Sequence, residues 1–119
     1  MDVTATDLLA ANLHGVFGER DPARRRATAE ATYAEDVRFV DPEETVVGRD
    51  ALLAKAAALL EGAPGFVFAE AGPAYVAGDH AALAWTFGPD GGDPVARGVD
   101  LITVRDGRID EVRTLLAQG

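Results

Sequence analysis

Two aspartates stand in segments that are otherwise apolar and strand-like. Asp41 ends the segment Val37 to Pro42, and Asp100 interrupts the segment Gly98 to Ile109. A carboxylate that faces a protein interior is costly unless a partner or a function compensates for the lost hydration. Because two carboxylates in one dry pocket do not both ionise cheaply, one tends to keep its proton while the other accepts one. We therefore predict that Asp41 and Asp100 form a catalytic pair suited to enolisation beside a carbonyl group.

The alternation of side chains along a strand predicts where each carboxylate points. Asp41 shares its strand face with Val37 and Phe39, and Asp100 shares its face with Ile102 and with small residues. Both carboxylates are therefore expected to face inward. Two alternatives remain open: Asp41, which precedes a proline, is also typical of a strand-ending turn, and a one-residue slip would turn Asp100 to solvent or to a dimer face.

His14 lies beside the apolar stripe of the first predicted helix and is a candidate proton donor or shuttle. A single histidine at the edge of such a stripe is more often a surface or packing residue. The only other histidine, His80, follows a predicted turn, and no cluster of carboxylates accompanies either residue. No metal site and no cofactor are predicted.

Apolar and aromatic side chains at helix and strand spacings are predicted to line a ligand pocket, although the same spacings are typical of plain core. The residues are Leu13, Phe17, Val37, Phe39, Leu52, Trp85, Phe87 and Ile102.

Helices are predicted for the first half of the chain. A capping box at Thr4 and Asp7 begins the first helix, and Gly18 ends it. The second helix begins at Asp21 and Pro22, with an alanine face, and the third covers about residues 50 to 60. Between the second and third helices, residues 37 to 41 alternate as a short strand.

Strands are predicted for the second half, near residues 66 to 77, 80 to 88, 94 to 105 and 108 to 116. Turn-forming glycine, proline and aspartate residues separate them. Helices followed by antiparallel strands indicate an α+β domain whose helices cover one face of a curved sheet.

Composition restricts the domain count and the partners. The chain has 119 residues, 48% of them hydrophobic, which predicts one domain over residues 1–119 with a real core. A net charge of -9 makes nucleic acid and anionic membranes unfavourable partners. There are no cysteines, and neither a signal peptide nor a membrane span is evident, so we expect a cytoplasmic protein.

The order of several short motifs resembles the SnoaL-like group of the nuclear transport factor 2-like superfamily. The motifs are Tyr33 to Pro42, Gly48 to Leu52 at the head of a helix, and Gly98 to Asp100 followed by Asp106 to Ile109. The resemblance covers about residues 8 to 116. It implies a cone-shaped α+β fold in a superfamily that includes polyketide cyclases, ketosteroid isomerase and limonene epoxide hydrolase.

By this resemblance, Asp41 falls on the general base of ketosteroid isomerase, and Asp100 falls on an acid that serves there as a protonated donor. In that enzyme, an apolar site keeps the donor aspartate neutral. The chain departs from ketosteroid isomerase in offering Leu13 and His14 where that enzyme has a donor tyrosine. Between residues 66 and 104, it also has no counterpart of the Asp-Arg-Asp arrangement of the epoxide hydrolase, so neither activity is expected.

The function predicted from the sequence is cofactor-independent proton transfer, of isomerase or cyclase type, on a small hydrophobic carbonyl compound. Which aspartate is the base stays open. The alternative is a non-catalytic module that binds a ligand or a partner with the same fold. The apolar outer face of the third long strand, with Val95, Val99 and Leu101, predicts a homodimer formed sheet to sheet.

Overall fold

The computed structural model describes residues 4–118. Three helical regions and seven strands follow one another in the order α1, π segment, α2, β1, β2, α3, β3 to β7. Their bounds are α1 Ala5–Ala10, the π segment Ala11–Phe17, α2 Pro22–Thr32, β1 Tyr33–Val40, β2 Thr45–Val47, α3 Arg49–Glu61, β3 Phe66–Glu70, β4 Tyr75–Ala77, β5 His80–Pro89, β6 Ala96–Arg105 and β7 Arg108–Leu116.

The first helix begins and ends at the predicted residues. The Thr4 hydroxyl accepts a hydrogen bond from the Asp7 amide at 3.1 Å, and the Asp7 carboxylate accepts one from the Thr4 amide at 3.2 Å. The helix then widens into the π segment, where the Gly18 amide donates to the Leu13 carbonyl five residues earlier, at 2.8 Å. This widening was not predicted, and π-helical turns are frequent at functional sites.

The second helix begins as expected, because the Asp21 carboxylate accepts a hydrogen bond from the Arg24 amide at 2.9 Å. Its predicted alanine face is wrong. The buried residues of α2 are Arg25, Ala29 and Thr32, while Ala23, Ala27 and Ala31 are exposed, so the helix presents nearly the opposite face to the core. The third helix runs one residue beyond each predicted end and stops at Gly62.

The seven strands form one sheet in the order β2-β1-β7-β6-β5-β3, and β4 pairs with the remaining length of β5. All pairs are antiparallel except β1 with β7, which run parallel. Helices α1 and α3 pack on the same sheet, α1 against β5 and β6 and α3 against β1. The α+β fold predicted from the sequence is therefore confirmed.

The single strand predicted over residues 66 to 77 is wrong. It is divided into β3 and β4 by residues 71 to 74, which include Gly72 at φ 128° and Pro73. Glycine adopts this backbone conformation without a Cβ clash, and proline has no amide to continue the ladder. The short strand β2 was not predicted, and β1 begins four residues earlier than expected, directly after α2.

The core lies between the helices and the inner face of the sheet. Its fully buried members include Leu9 and Leu13 from the first helical region, Leu52 from α3, and Val37 and Ile102 from the sheet. No helix within residues 4–118 has the length and apolar character needed to cross a bilayer. The cytoplasmic location stays a prediction.

Candidate active site

A cavity of about 730 Å³ opens between the helices and the inner face of the sheet. Five aromatic side chains contribute to its wall, from the π segment, β1, β3 and β5. They are Phe17, Phe39, Phe68, Trp85 and Phe87. Phe17 stacks on Phe39 and Phe68 stacks on Phe87, with ring centroids 5.3 and 4.3 Å apart. The wall is therefore built from rigid, packed rings that favour an apolar ligand.

Asp100 lies in this cavity as a buried carboxyl group that accepts three hydrogen bonds. The residue is 5% exposed, between the inward-facing Gly98 and Ile102 of β6, as predicted. Its Oδ1 accepts from the Trp85 indole at 2.9 Å and from the Thr114 hydroxyl at 2.8 Å. Its Oδ2 accepts from the Asn12 amide at 3.0 Å. Since a carboxylate has about four acceptor positions, one position remains, on Oδ2.

Burial raises the pKa of Asp100 above its usual range, although the hydrogen bonds from Thr114, Trp85 and Asn12 act in the opposite direction. The two effects compete because burial penalises the charge while the donors stabilise it. A raised pKa makes the ionised carboxylate a stronger base than an ordinary aspartate at the surface. Burial of this kind is one of the ways in which the pKa of a carboxyl group is raised at functional sites.

Asp41 also lines the cavity and, unlike Asp100, is paired with a cationic side chain. Lys55 from α3 pairs with Asp41 Oδ2 at 2.5 Å and with Glu44 at 3.2 Å. Asp41 Oδ1 accepts from the backbone amides of Glu43 and Glu44 at 2.9 and 3.0 Å. The turn interpretation and the cavity interpretation of Asp41 therefore both hold, because one carboxylate caps the turn and faces the cavity.

Partial burial would raise the pKa of Asp41, but the hydrogen bond from Lys55 and those from the Glu44 and Glu43 amides outweigh it and lower the pKa. For Lys55, partial burial would lower the pKa, and the hydrogen bonds from its ammonium to Asp41 and Glu44 raise it. The pair therefore stays ionised. The two aspartates share one cavity but differ in basicity, with Asp100 the stronger base.

His14 does not line this cavity. Its imidazole is half exposed, and Nε2 lies 2.8 Å from the Glu70 carboxylate at the surface. His14 therefore lies at the surface, at the edge of the apolar stripe, which is the alternative to a catalytic role that the sequence left open. A direct part in chemistry inside the cavity is not favoured by this position.

Five of the eight apolar residues predicted to line a pocket do line the cavity, namely Leu13, Phe17, Phe39, Trp85 and Phe87. The other three, Val37, Leu52 and Ile102, are buried in the core and do not reach it. They share strand or helix faces with lining residues, but they belong to the buried core cluster.

Besides Glu43 and Glu44, which line the cavity, four polar residues of the site were not singled out from the sequence. Lys55 and Thr114 line the cavity, while Asn12 and Tyr33 lie behind Asp100, where the Tyr33 hydroxyl donates to Asn12 Oδ1 at 2.6 Å. Asn12 had a recognisable signal, because it lies three residues after Leu9 and four before Val16, within the apolar stripe. Within residues 4–118, no group of three or more histidine, cysteine or acidic side chains is arranged to hold a metal ion.

Solved structures with the same fold come from several bacteria. A proposed isomerase of the SnoaL-like family from Agrobacterium tumefaciens str. C58 is 30% identical, with a TM-score of 0.86 over 93% of this chain and 95% of that chain. A proposed SnoaL-like polyketide cyclase from Jannaschia sp. CCS1 is 19% identical, with a TM-score of 0.75 over 98% and 90% of the two chains. A proposed ketosteroid isomerase from Kribbella flavida DSM 17836 is 23% identical, with a TM-score of 0.69 over 98% and 82%.

The two less similar structures support the fold alone. Among curated proteins, no sequence matches this chain. The model of the SnoaL-like domain matches residues 11–112, which include Asp41, Asp100 and all the donors to Asp100 except Thr114. With most of its length matched in this way, the chain belongs to the SnoaL-like domain family.

Proposed function

We propose that this protein is a cofactor-independent enzyme that moves a proton on a small, hydrophobic carbonyl compound. The single observation that carries the proposal is the buried Asp100 carboxyl group, which accepts three hydrogen bonds and lies among the residues that line an aromatic-walled cavity. Proton abstraction next to a carbonyl needs a base of raised pKa in a site with little water. Asp100 has a raised pKa and is itself largely removed from solvent.

In the proposed reaction, the Asp100 carboxylate takes a proton from the carbon next to the carbonyl. The C–H electron pair moves into a C=C bond, and the carbonyl oxygen becomes an enolate. Asp100, now protonated, returns the proton to the same carbon or to another one, which regenerates the carboxylate. No electrons are gained or lost, so no redox cofactor is required.

Lys55 is the candidate for stabilising the enolate oxygen. It is the one cationic side chain among the described residues that line the cavity, and its pKa is raised, so its ammonium stays a donor. Preorganised donors aimed at a developing negative charge commonly contribute much of an enzyme's rate enhancement. Asp41 then holds Lys55 in place and is not the base.

The size and lining of the cavity support the substrate class. A volume of about 730 Å³ is in the range of pockets that enclose small organic molecules. Four acidic residues and one lysine line it, namely Asp41, Glu43, Glu44, Asp100 and Lys55. This excess of acids disfavours anionic compounds, and we therefore expect uncharged ketones to bind better than carboxylates.

An exchange assay in D₂O tests the proposal without knowledge of the natural substrate. A panel of cyclic and aryl ketones is incubated with the protein, and the loss of the α-proton signal is followed by NMR. The wild type is expected to accelerate exchange for at least one ketone, and Asp100→Asn is expected to abolish that acceleration. His14→Gln is the matched control and should retain it. Exchange that survives in Asp100→Asn would exclude Asp100 as the base.

A non-catalytic ligand-binding module is the second candidate. It is favoured by the fact that Asp100 already has three donors, as a purely structural buried carboxylate would. In that case the same ketones would quench the fluorescence of Trp85, the single tryptophan, without any catalysed exchange. Binding without exchange across the panel would replace the enzymatic proposal by this one.

We also propose that two copies pair through the outer face of the sheet. Leu101 and Leu115, on the adjacent strands β6 and β7, are 36% and 48% exposed on that face, and Val67 on β3, beyond β5, is 44% exposed. Val95, which the sequence placed in the same patch, lies just before β6. A stable dimer buries about 1,200–2,000 Å² in total. Light scattering should give a dimer mass that Leu101→Asp reduces to the monomer, whereas Val47→Asp on the distant strand β2 should not.

A further inference from the structure

Asn12 is a fully buried polar side chain on the π segment. Its Oδ1 accepts the Tyr33 hydroxyl at 2.6 Å, and its Nδ2 donates to Asp100 Oδ2 at 3.0 Å. Burying an amide among apolar side chains is costly unless both ends find partners. The two partners of Asn12 lie on different strands, so the amide connects β1 to the carboxyl group on β6.

Tyr33 fixes the direction of this connection. The residue is completely buried, and burial, together with the charge of Asp100, raises the pKa of its hydroxyl well above the ordinary value. The hydroxyl therefore stays protonated and acts as a donor. It donates to the carbonyl oxygen of the Asn12 amide, and because an ionised Asp100 carboxylate only accepts, the NH₂ group faces Asp100. The Tyr33 carbonyl in turn accepts from Arg49 at 3.0 and 2.8 Å, which anchors this part of β1.

The connection controls the one oxygen of Asp100 that is not saturated. Trp85 and Thr114 both donate to Oδ1, and Asn12 alone donates to Oδ2. The remaining acceptor position is therefore on the same atom that Asn12 holds. A shift or flip of the Asn12 amide would change both the direction and the basicity of that position.

We propose that Tyr33 and Asn12 are positioning residues: the Tyr33 hydroxyl orients the Asn12 amide, and the amide holds Asp100 Oδ2 so that its free acceptor position serves the cavity. The importance of this for a reaction rests on the proposed function. The positioning itself is a property of the free protein and can be measured without a substrate.

Other ionisable groups face Asp100 from the cavity side. They are Asp41, Glu43, Glu44 and Lys55, and all of them line the same cavity. On the opposite side, Tyr33 is the ionisable group whose pKa responds to the charge of Asp100. Substitution of Tyr33 by phenylalanine and of Asn12 by leucine leaves the four cavity groups unchanged, so a change in the titration of Asp100 reports on the connection through Asn12.

A double-mutant cycle read by ¹³C NMR of the Asp100 carboxyl carbon tests the proposal. Asn12→Leu removes a hydrogen bond to a charged acceptor and is expected to increase the proton affinity of Asp100 by about tenfold or more. Tyr33→Phe should shift the pKa of Asp100 in the same direction, by a smaller amount. Because Tyr33 acts through Asn12, adding Tyr33→Phe to Asn12→Leu should change nothing further.

Val16→Ala is the matched control, because Val16 is fully buried on the same π segment and belongs to the apolar core. It should destabilise the fold by cavity formation and leave the titration of Asp100 as in the wild type. Additive effects of the two substitutions, or an unchanged pKa of Asp100 in Asn12→Leu, would overturn the proposal.

If Asn12→Leu does not fold, Tyr33→Phe alone decides, since an unchanged titration of Asp100 in that variant would also overturn the proposal. The outcome is independent of the enzymatic proposal. A shifted pKa in a protein that exchanges no ketone protons would keep the positioning and remove the catalysis. Exchange that depends on Asp100, combined with an unchanged pKa of Asp100 in both variants, would keep the catalysis and remove the positioning.

Discussion

Replacement of Gly98 by alanine should disrupt the site through the position of Trp85. Gly98 is buried on β6 directly opposite Trp85 in the sheet register. A Cβ atom at this position would lie 2.5 Å from Trp85 Cζ2 and closer still to the Leu115 carbonyl oxygen. Side chains do not approach so closely, so either the indole or the backbone of β7 must move.

The expected loss of stability follows from these contacts. Overpacking of a core costs about 1–3 kcal/mol, and displacement of the indole also removes a hydrogen bond to a charged acceptor, worth about 1.5–3 kcal/mol. The sum is about 2.5–6 kcal/mol, a large share of the 5–15 kcal/mol that is typical of a domain. For this chain length, we expect Tm to fall by about 10 °C or more.

Urea unfolding followed by the fluorescence of Trp85 measures both effects, because the chain has one tryptophan. Gly62→Ala is the matched control, since φ at Gly62 is -80° and the nearest atom to an added Cβ is 3.4 Å away. That variant should be as stable as the wild type or slightly more so. The reasoning is refuted if Gly98→Ala unfolds within about 0.5 kcal/mol of the wild type with unchanged emission, a difference typical of neutral surface substitutions.

Three further predictions concern charged groups. Lys55→Met should raise the pKa of Asp41, measured by NMR, and should cost about 1–3 kcal/mol in urea unfolding at pH 7, because the pair is partly buried. Pairing lowers the pKa of Asp41 in the folded state, so the stability that the pair contributes is present above the unfolded pKa. In the wild type, this stability should disappear as the pH falls through the folded pKa. The pKa of Asp100 is raised on folding, so the stability that this group contributes is complete below the unfolded pKa and is lost as the pH rises through the folded pKa. The unfolding free energy of the wild type minus that of Asp100→Asn should therefore decrease with rising pH. A constant difference would contradict the burial argument. Arg20→Met should cost about 2–4 kcal/mol in thermal unfolding, because its guanidinium donates to three backbone carbonyls, those of Leu60 at the end of α3, Ala63 after it and Phe66 at the start of β3. A cost below about 0.5 kcal/mol would show that these bonds are not formed in solution.

Local sequence rules predicted the elements whose ends depend on neighbouring residues. The capping box at Thr4, the aspartate and proline at the start of α2, and the Asp106-Gly107 hairpin are all of this kind. The rules did not predict β2, which pairs with the edge of β1, or the early start of β1, whose first residue, Tyr33, pairs with Ile109 of β7. These elements depend on contacts between distant parts of the chain.

The donors to Asp100 show why the site was harder to predict than the fold. The inward direction of Asp100 followed from alternation within one strand. Its partner across the sheet depends on the register between β6 and β7. If the register that pairs Arg105 with Arg108 at the hairpin continued without interruption, Asp100 would lie opposite Arg113. An irregularity between Thr103 and Val104 shifts the register by one residue and brings Thr114 opposite instead.

The donor from the first helical region was also missed for a physical reason. The resemblance to ketosteroid isomerase directed attention to Leu13 and His14, whereas the structure presents Asn12, one position earlier. Asn12 lies on the π segment, which the sequence did not predict. A buried amide in an apolar stripe was the available signal, and its partner Tyr33 could be identified only from the packing of β1.

The pH dependence of ketone proton exchange, compared with the titration of Asp100, tests the central claim most directly. The exchange rate of an active ketone in D₂O would be measured against pH and set beside the Asp100 carboxyl titration of the free protein by NMR, both on the same solvent scale. Our account predicts that catalysed exchange increases with pH through the pKa of Asp100 and is absent in Asp100→Asn. A rate that follows a different ionisation, or that persists in Asp100→Asn, would contradict it.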